Sequence, residues 1–371
     1  MTTQSLAPLF DDSRVDALSQ QLTTIFNSSA LSLMVSIGHR TRLFDVLSLL
    51  PPSRSDQVAH AAGLQERYVR EWLNVMVVGK ILDYSASDKT YSLPPEHAVL
   101  LTRAAASPTN MAAIAQYIPV IASAEDQIVQ CFAEGNGVPP SELHRFYKVV
   151  AEDNAQRAVA ALEDHILPLV PNLLEDLRLG IDVLDIGCGR GYVLNKLAML
   201  FPNSQFIGYD LNEDAIATAI HRAQSQQLHN VHFQVRDTAR LEEIETYNLI
   251  TSFDAMQDQA TPAQLLRNIY NALRPDGVYL MQEIHAASDV SGNLNHPLAP
   301  LLYTVSCMHS MTTSPAATTS PVATTSPTAD DLELVTGREK ASELLREAGF
   351  THIEIKQLPH DVVNDYYIVC K

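Results

Sequence analysis

Apolar residues near the start of the chain recur at intervals of three and four, the spacing of one helix face. Between residues 15 and 50 this pattern predicts two helices, with apolar positions at Leu18, Leu22 and Ile25 in the first and at Leu31, Leu33, Met34 and Ile37 in the second. The second helix is more apolar than an isolated surface helix would be, so it needs a partner. We interpret it as part of a subunit interface, with burial in the chain's own core as the alternative.

The next fifty residues have the pattern of two short helices and a hairpin. The predicted elements are, in order, a helix over 55–62 capped by Ser55, a helix over 66–78 that Gly79 ends, and two strands at 81–84 and 90–93. The strands flank a polar Ser-Ala-Ser-Asp turn. This order indicates a helix-turn-helix with a wing, so DNA binding has to be considered.

From residue 106 a mostly helical stretch, broken at 135–140, leads into a regular alternation of strands and helices. Apolar runs predict strands at 182–186, 205–210, 231–236, 247–253, 278–284, 351–358 and 365–370, with helices at 192–200, 213–226 and 262–273 and a short acidic turn at 240–245. Such alternation predicts an α/β domain whose parallel sheet carries helices on both faces. Ligands of such sheets bind beyond the carboxyl ends of the strands.

A glycine turn follows the first strand of this domain, in the pattern Asp185-x-Gly187-x-Gly189-x-Gly191. Glycines let the backbone reverse sharply and approach a ligand closely, and the helix that follows offers free N–H groups. A dinucleotide-binding turn would have no carboxylate at this point, because Asp185 would repel a pyrophosphate. The cationic amino group and sulfonium of S-adenosylmethionine would be attracted instead.

Three further strands also end in carboxylates. Asp210 is placed to hold two ribose hydroxyls, Asp237 to accept from an adenine amino group, and Asp254 to lie beside a methionine moiety. Because the carboxyl ends of parallel strands meet at one edge of the sheet, these side chains are expected to lie together around the glycine turn.

At these residues the chain resembles the class I S-adenosylmethionine-dependent methyltransferases. It is most similar to a bacterial branch, also familiar from mycobacteria, that has an N-terminal winged helix and segments like FDAIHDQ, LPPEHA and MHxMT; here these read FDAMQDQ at 253–259, LPPEHA at 93–98 and MHSMT at 308–312. The resemblance runs from about Leu33 to the C-terminus. It implies a Rossmann-like seven-stranded α/β domain, with its last two strands antiparallel, behind an N-terminal helical winged-helix domain.

The resemblance also implies S-adenosyl-L-methionine as the cofactor and S-adenosyl-L-homocysteine as its product. Carried over position by position, the cofactor contacts are Asp185, Gly187, Gly189, Gly191, Asp210, Leu211, Asp237, Thr238, Phe253 and Asp254. The implied domain boundaries are 1–105 for the winged-helix domain, 106–170 for a helical linker over the active site, and 171–371 for the methyltransferase domain with an insertion at 286–336.

Methyl transfer requires a positioned nucleophile and the removal of its proton. The family has a histidine where this chain has Gln257, and an amide cannot take a proton at neutral pH. Gln257 is therefore expected to orient the acceptor, while His309, or failing that His285, is the candidate base because histidine titrates near neutrality. For each histidine the alternative is a packed structural side chain. Asp258, Gln259 and Glu283 are further polar residues expected near the methyl group.

Charge limits the choice of partners. The formal net charge is −18, from 25 basic and 43 acidic residues, which opposes binding to nucleic acid or to an anionic membrane surface. Within residues 51–100 the basic side chains are Arg54, Arg67, Arg70, Lys80 and Lys89, and the acidic ones are Asp56, Glu66, Glu71, Asp83, Asp88 and Glu96. A DNA-binding domain needs a net basic surface, which this domain lacks. The resemblance to small-molecule methyltransferases implies instead that the winged helix forms a homodimer.

The remaining composition indicates a cytoplasmic protein without a metal centre. Its four cysteines are scattered, which predicts neither a disulfide framework nor a zinc site, and no signal peptide or membrane-spanning run is expected. Residues 293–311 are an apolar insertion suited to lining an acceptor pocket. A threefold repeat of six residues rich in threonine, serine and proline follows at 312–329 and predicts a mobile surface loop.

Three functions remain open at this point. The first is an O- or N-methyltransferase acting on a small molecule, which the acidic composition and the insertion favour. The second is a transcription regulator that binds S-adenosylmethionine and uses the winged helix on DNA. The third is an enzyme that uses S-adenosylmethionine without transferring its methyl group, because a cofactor site does not fix the reaction.

Overall fold

A computed structural model describes residues 11–103, 110–135, 137–139, 142, 144–256, 261–311, 337–359 and 361–371. The chain divides into two compact units, residues 1–105 with 111–119 and residues 106–110 with 120–371. Gln257, Asp258, Gln259 and the repeat at 312–329 lie outside the described residues. None of the helices in the described part of the chain combines the length and the apolar character needed to cross a membrane.

The first unit is helical with one small hairpin. Its elements are α1 Asp12–Arg40, α2 Leu43–Leu49, α3 Ser55–Ala62, α4 Glu66–Val78, β1 Asp83–Ser85, β2 Thr90–Ser92, α5 Pro95–Leu101 and α6 Met111–Ile114. The two strands pair antiparallel from Asp83 opposite Ser92 to Ser85 opposite Thr90. The predicted helix-turn-helix with a wing is therefore confirmed.

The boundary predicted between the first two helices is wrong, because both apolar sets lie in the single helix α1. No glycine or proline separates the sets, and Thr23 and Thr24 donate side-chain hydrogen bonds to carbonyls four residues earlier. The chain turns only at Arg42, whose φ of 61° is left-handed.

A buried aromatic pair organises the core of this unit. Trp72 of α4 is 2% exposed, packs edge-on against Phe44 at 5.1 Å and donates from Nε1 to the carbonyl of Met34 at 2.8 Å. Ser55 was expected to cap α3, and this expectation is wrong. The cap is Arg54, while the Ser55 hydroxyl donates to Glu66 at 2.7 Å and so joins α3 to α4.

The second unit contains the α/β domain. Its helices are α7 Tyr117–Ala122, which begins in the first unit, then α8 Glu125–Glu134, α9 His144–Ala161, α10 Leu173–Leu179, α11 Tyr192–Leu200, α12 Glu213–Ser225, α13 Pro262–Ala272, α14 Val290–Asn293, α15 Ala299–Val305 and α16 Arg338–Ala348. Its strands are β3 Asp182–Ile186, β4 Gln205–Asp210, β5 Val231–Val235, β6 Tyr247–Phe253, β7 Leu273–Ile284, β8 His352–Leu358 and β9 Asp361–Cys370. Five-residue π-helical turns occupy Leu162–Ile166 and Ser306–Ser310.

The seven strands form one sheet in the order β5-β4-β3-β6-β7-β9-β8. The first five strands are mutually parallel, and β9 runs antiparallel to both β7 and β8. Two separate buried clusters cover the two faces of the sheet, one with α11 and α12 and the other with α13 and α16. The predicted seven-stranded α/β fold is confirmed.

Two strands begin earlier than the apolar pattern indicates. Strand β7 starts at Leu273, which pairs with Tyr247, and a shift of register then accommodates Pro275, which has no N–H to donate. Strand β9 starts at Asp361 rather than at 365. The added segment reads Asp361-Val-Val-Asn364, and the polar Asn364 and Asp365 after the two valines interrupt the apolar run.

Candidate functional site

The turn between β3 and α11 requires its glycines for two different reasons. Gly187, Gly189 and Gly191 all have left-handed φ values, of 69°, 52° and 67°. A side chain at Gly191 would also approach Ala219 and Phe233 to 2.7 Å, whereas a side chain at Gly189 would have no atom within 4 Å. The turn is therefore packed against α12 and β5 on one side and open beside Gly189.

The carboxylate of Asp210 at the end of β4 holds this turn in place. One oxygen accepts from the N–H of Gly189 at 2.8 Å, and the other accepts from the N–H of Asn212 at 2.8 Å. Leu211, the next residue, is 65% exposed and free to pack on a ligand. Asp210 therefore lies where a ribose was expected, and its link to Gly189 could not be read from the sequence.

The end of β5 lies directly beside Asp210. The backbone N–H of Arg236 donates to the Asp210 carbonyl, and Asp237 accepts from the N–H of Ala239 at 3.0 Å at the start of a single helical turn. The side chain of Asp237 is partly exposed, at 42%, whereas Thr238 is buried. An exposed acceptor at this position is compatible with the predicted adenine contact.

Asp185 is the most deeply buried of the four strand-end carboxylates. It is 3% exposed, and the Thr251 hydroxyl donates to it at 2.7 Å. Burial raises the pKa of Asp185 to about 7, and the nearby charge of Asp210 acts in the same direction. A cation bound beside Asp185 would stabilise its charged form. Phe253, also predicted as a contact, packs against the buried cluster that includes residues of α11 and α12.

The strand next to β3 brings Asp254 to the same edge of the sheet. Its backbone N–H donates to the Gln282 carbonyl at 3.0 Å, and its Oδ2 accepts from Gln282 Nε2 at 3.1 Å. Burial raises the pKa of Asp254 to about 6. Glu283 is buried one residue further along β7 and accepts from the N–H of Met256.

His309 lies in an aromatic stack. It is 6% exposed, its ring lies 3.7 Å from the ring of Phe146 in stacked geometry, and Tyr147 packs edge-on at 5.5 Å. Burial lowers the pKa of His309 to about 4. Such an imidazole binds a proton weakly at neutral pH, so the surroundings favour packing over base catalysis for this residue.

His285, the second candidate base, lies in a hydrogen-bonded network. Its Nδ1 is 3.0 Å from each oxygen of Asp365, a carboxylate with no exposed surface. Arg338 at the start of α16 binds both oxygens of the same carboxylate, and Gln357 contacts the imidazole at 3.0 Å. This network joins the end of β7 to α16 and β9. Gln257, the third candidate, lies outside the described residues.

A buried polar cluster near Asp254 was not predicted from the sequence. Asp153 and Arg157 of α9 form a bidentate pair at 2.9 and 3.1 Å, and Arg157 also lies 3.6 Å from Asp361. Tyr366 donates to Asp361 at 2.7 Å. The only signal in the sequence is the spacing of four between Asp153 and Arg157, which is the spacing of ordinary solvent-exposed helix pairs.

Removing the carboxylate of Asp210 tests the predicted ribose contact. We expect Asp210→Ala to weaken the binding of S-adenosylhomocysteine by about 1–3 kcal/mol, because both the ribose acceptor and the anchor of Gly189 are lost. Titration calorimetry measures the change. Unchanged affinity would contradict the assignment. Asp214→Asn, which alters an exposed carboxylate in the first turn of α12, is the control and should have no effect.

Two family models match the chain. Residues 29–103 match a model described as an Rv2258c-like winged HTH domain, and residues 177–349 match a model described as a methyltransferase domain. The first match covers the helix-turn-helix and wing of the first unit. The second runs from the end of α10 to the end of α16 and includes the glycine turn and all four strand-end acids.

Curated relatives match part of this chain. The malonyl-[acyl-carrier protein] O-methyltransferase of Bacillus cereus is 37% identical over 115 residues, which cover 29% of this chain and 42% of that enzyme. The ubiquinone biosynthesis O-methyltransferase of Neisseria meningitidis is 23% identical over 198 residues, covering 53% of this chain and 74% of that enzyme. The chain thus spans less than half the length of the first of these relatives.

Solved structures resemble the whole chain. Human N-acetylserotonin methyltransferase in complex with SAM superimposes with a TM-score of 0.64 at 17% identity, covering 99% of both chains. The mitomycin 7-O-methyltransferase MmcR superimposes with a TM-score of 0.63 at 15% identity, covering 97% of this chain and all of the other. At these identities the likeness concerns the fold.

Proposed function

We propose that this chain, which carries a winged helix-turn-helix domain and a class I methyltransferase domain, transfers the methyl group of S-adenosylmethionine to an oxygen or nitrogen atom of a small molecule. The observation that carries the proposal is the buried carboxylate of Asp185, two residues before the first glycine of the turn. A phosphate-bearing dinucleotide would be repelled there, whereas a ligand with an ammonium and a sulfonium group would be stabilised.

The glycine turn and the strand ends beside it form a cradle that fits this cofactor. The space beside Gly189 is open, and Asp210, Leu211 and Asp237 line the same edge of the sheet. In the proposed complex Asp210 accepts from the ribose, Asp237 accepts from the adenine amino group, and Asp185 faces the methionine ammonium. The cofactor supplies an electrophilic methyl group, and the chain's own residues orient the acceptor and take its proton.

A transfer assay distinguishes this function from the two alternatives. The purified protein is incubated with S-adenosylmethionine carrying a labelled methyl group and with a small-molecule extract of cells. Methyl transfer predicts label in an extract component together with stoichiometric S-adenosylhomocysteine, and Asp210→Ala should reduce both. Cofactor breakdown without labelled product would support the non-transferring enzyme, and tight binding of NAD in place of S-adenosylhomocysteine would overturn the proposal.

The winged-helix domain is proposed to form a homodimer and not to bind DNA. Its acidic side chains outnumber its basic ones by one across residues 51–100, which gives no basic surface for a phosphate backbone. A mobility-shift assay with fragmented genomic DNA tests this, and a salt-sensitive complex would support the regulator instead. We further propose the domain boundaries 1–105, 106–170 and 171–371, and a cytoplasmic location in keeping with four free cysteines.

Helix α1 supplies the argument for the dimer. Every residue from 11 to 30 is exposed, yet the segment is helical, and an isolated helix of this length is only marginally stable in water. Its large apolar side chains follow a heptad spacing at Val15, Leu18, Leu22 and Ile25. We call this stripe of apolar side chains the seam. Packing against the seam of a second copy of the chain would bury them.

Disrupting this seam is expected to dissociate the dimer. We expect the wild-type protein to have about twice the chain mass of 40.8 kDa in solution, and the double variant Leu22→Glu, Ile25→Glu to have the single-chain mass. Charged residues on the seam would repel one another across the interface. Light scattering after size-exclusion chromatography measures both masses. Gln20→Glu, on the opposite face of α1, is the control, and a monomeric wild-type protein would contradict the proposal.

A further inference from the structure

Asp254 has a left-handed backbone conformation, which is uncommon for residues other than glycine. It follows β6 directly and has a φ of 53°, a left-handed value that costs a non-glycine residue free energy. The conformation is held by Gln282 of the neighbouring strand, which accepts from the backbone N–H of Asp254 and donates to its Oδ2. Strained residues held by their surroundings in this way are concentrated at functional sites.

The position of Asp254 is beside the glycine turn. Strands β3 and β6 are parallel neighbours, with Ile186 opposite Ser252. Ala255, which follows Asp254 in the chain, packs closely against Gly187. A side chain at position 187 would overlap the Cβ of Ala255. The carboxylate therefore lies next to the part of the cradle that is proposed to receive the methionine moiety.

One oxygen of Asp254 is buried without a hydrogen-bond partner among the described residues. Oδ2 is engaged by Gln282, whereas Oδ1 is buried and has no hydrogen-bond partner among the residues that the structure describes. A buried acceptor without a partner is costly and requires an explanation. A hydrogen-bond donor supplied by a substrate would provide it.

The charges around Asp254 leave its carboxylate without a full counterion. The groups that face it are Arg157 and Asp153 from α9 and Asp361 and Tyr366 from β9. Arg157 binds Asp153 bidentately and lies 3.6 Å from Asp361. Its single positive charge is therefore shared among Asp153, Asp361 and Asp254. Burial and the two acidic neighbours raise the pKa of Asp254 to about 6, and Arg157 opposes them. At neutral pH the group is ionised and is a stronger base than a solvated carboxylate.

The other candidates for a base are less suitable. Gln257 carries an amide, which cannot accept a proton at neutral pH. His309 is enclosed by aromatic rings, and the imidazole of His285 is bound to Asp365 and Gln357.

We propose that Asp254 is the catalytic base that takes the proton of the methyl acceptor, an inference that rests on the proposed function. The acceptor is a neutral or cationic small molecule with an O–H or N–H group. Its lone pair forms the bond to the methyl carbon, and the electron pair of the breaking C–S bond stays on sulfur to give S-adenosylhomocysteine. The acceptor proton passes to Oδ1 of Asp254, and the resulting carboxylic acid returns it to water.

The charge beside the transferring methyl group can be measured without knowing the acceptor. Sinefungin is an S-adenosylmethionine analogue with an amine-bearing carbon in place of the methylsulfonium, whereas S-adenosylhomocysteine has an uncharged thioether there. Both carry the same methionine ammonium, so any contribution of Asp185 cancels in the ratio of their affinities. The ratio therefore reports on a charge at the position of the methyl group.

Near pH 7.5 we expect the wild-type protein to bind sinefungin at least about tenfold more tightly than S-adenosylhomocysteine. Below about pH 5 most of this preference should be lost, because Asp254 is then protonated. Asp254→Asn should show no preference at either pH. The control Asp214→Asn should behave like the wild type. Turnover with the active extract should fall through kcat in Asp254→Asn and recover in part in Asp254→Glu.

The outcomes separate this inference from the proposed function. Failure of the wild-type protein to bind S-adenosylhomocysteine would overturn the proposed function and this inference with it. Binding with equal preference in wild type and Asp254→Asn would leave the methyltransferase proposal standing and overturn the role of Asp254. Retention of full kcat in Asp254→Asn would do the same.

Discussion

Replacing Gly191 with alanine is expected to lower the free energy of unfolding by about 2–5 kcal/mol, from about 1–2 kcal/mol for a side chain in left-handed conformation and about 1–3 kcal/mol for overpacking. Its φ is 67°, and a Cβ there would lie 2.7 Å from Ala219 and Phe233. Both neighbours are buried in the cluster that also holds α11 and β5, so neither can move without disturbing the core. Urea denaturation monitored by circular dichroism measures the loss.

Gly189 provides the matched control for this substitution. Its φ is 52°, but a Cβ there would meet nothing within 4 Å. Gly189→Ala should therefore cost only about 1–2 kcal/mol of stability, while weakening the binding of S-adenosylhomocysteine because the new methyl group enters the open side of the cradle. Equal losses of stability in the two variants would show that the contact with Ala219 and Phe233 is not the cause.

The glycine turn could be predicted because its residues satisfy a local requirement. A backbone that reverses with left-handed φ values selects glycine whatever the rest of the fold does, and the preceding strand is marked by its apolar run. The five parallel strands could be predicted from their apolar runs, since parallel strands buried on both faces are continuously apolar. The alternation of strands with helices predicted a parallel sheet, but it did not predict the order of the strands in it.

Features that depend on distant residues could not be predicted in the same way. The association of Arg157 with Asp361 joins α9 to the first residue of β9, and nothing in either segment marks the other. His309 looks like a base in the sequence, because its enclosure by Phe146 and Tyr147 exists only in the fold. The continuity of α1 was missed because a polar Asn-Ser-Ser segment resembles a boundary even when no residue in it prevents helix.

Removing the charge of Asp185 is expected to stabilise the ligand-free protein and to weaken its ligand binding. The pKa of this carboxyl rises from 3.8 to about 7 on folding, because burial penalises the charged form. The folded protein therefore holds a proton that the unfolded chain releases between about pH 4 and pH 7, so this group's contribution to stability falls as the pH rises through that window. This rise in the pKa of Asp185 corresponds to a penalty of about 4 kcal/mol above pH 7.

Asp185→Asn removes that penalty and keeps an oxygen that can accept from Thr251. We expect the ligand-free variant to gain about 2–4 kcal/mol of stability near pH 8 and almost nothing near pH 4. Its affinity for S-adenosylhomocysteine should fall by about 1–3 kcal/mol near pH 8, since the methionine ammonium loses its buried partner. Denaturation and calorimetry across this pH range measure both effects, with Asp214→Asn as the control. A variant that is less stable near pH 8, or that binds the ligand as tightly as the wild type, would contradict the electrostatic role on which the choice of a cationic cofactor depends.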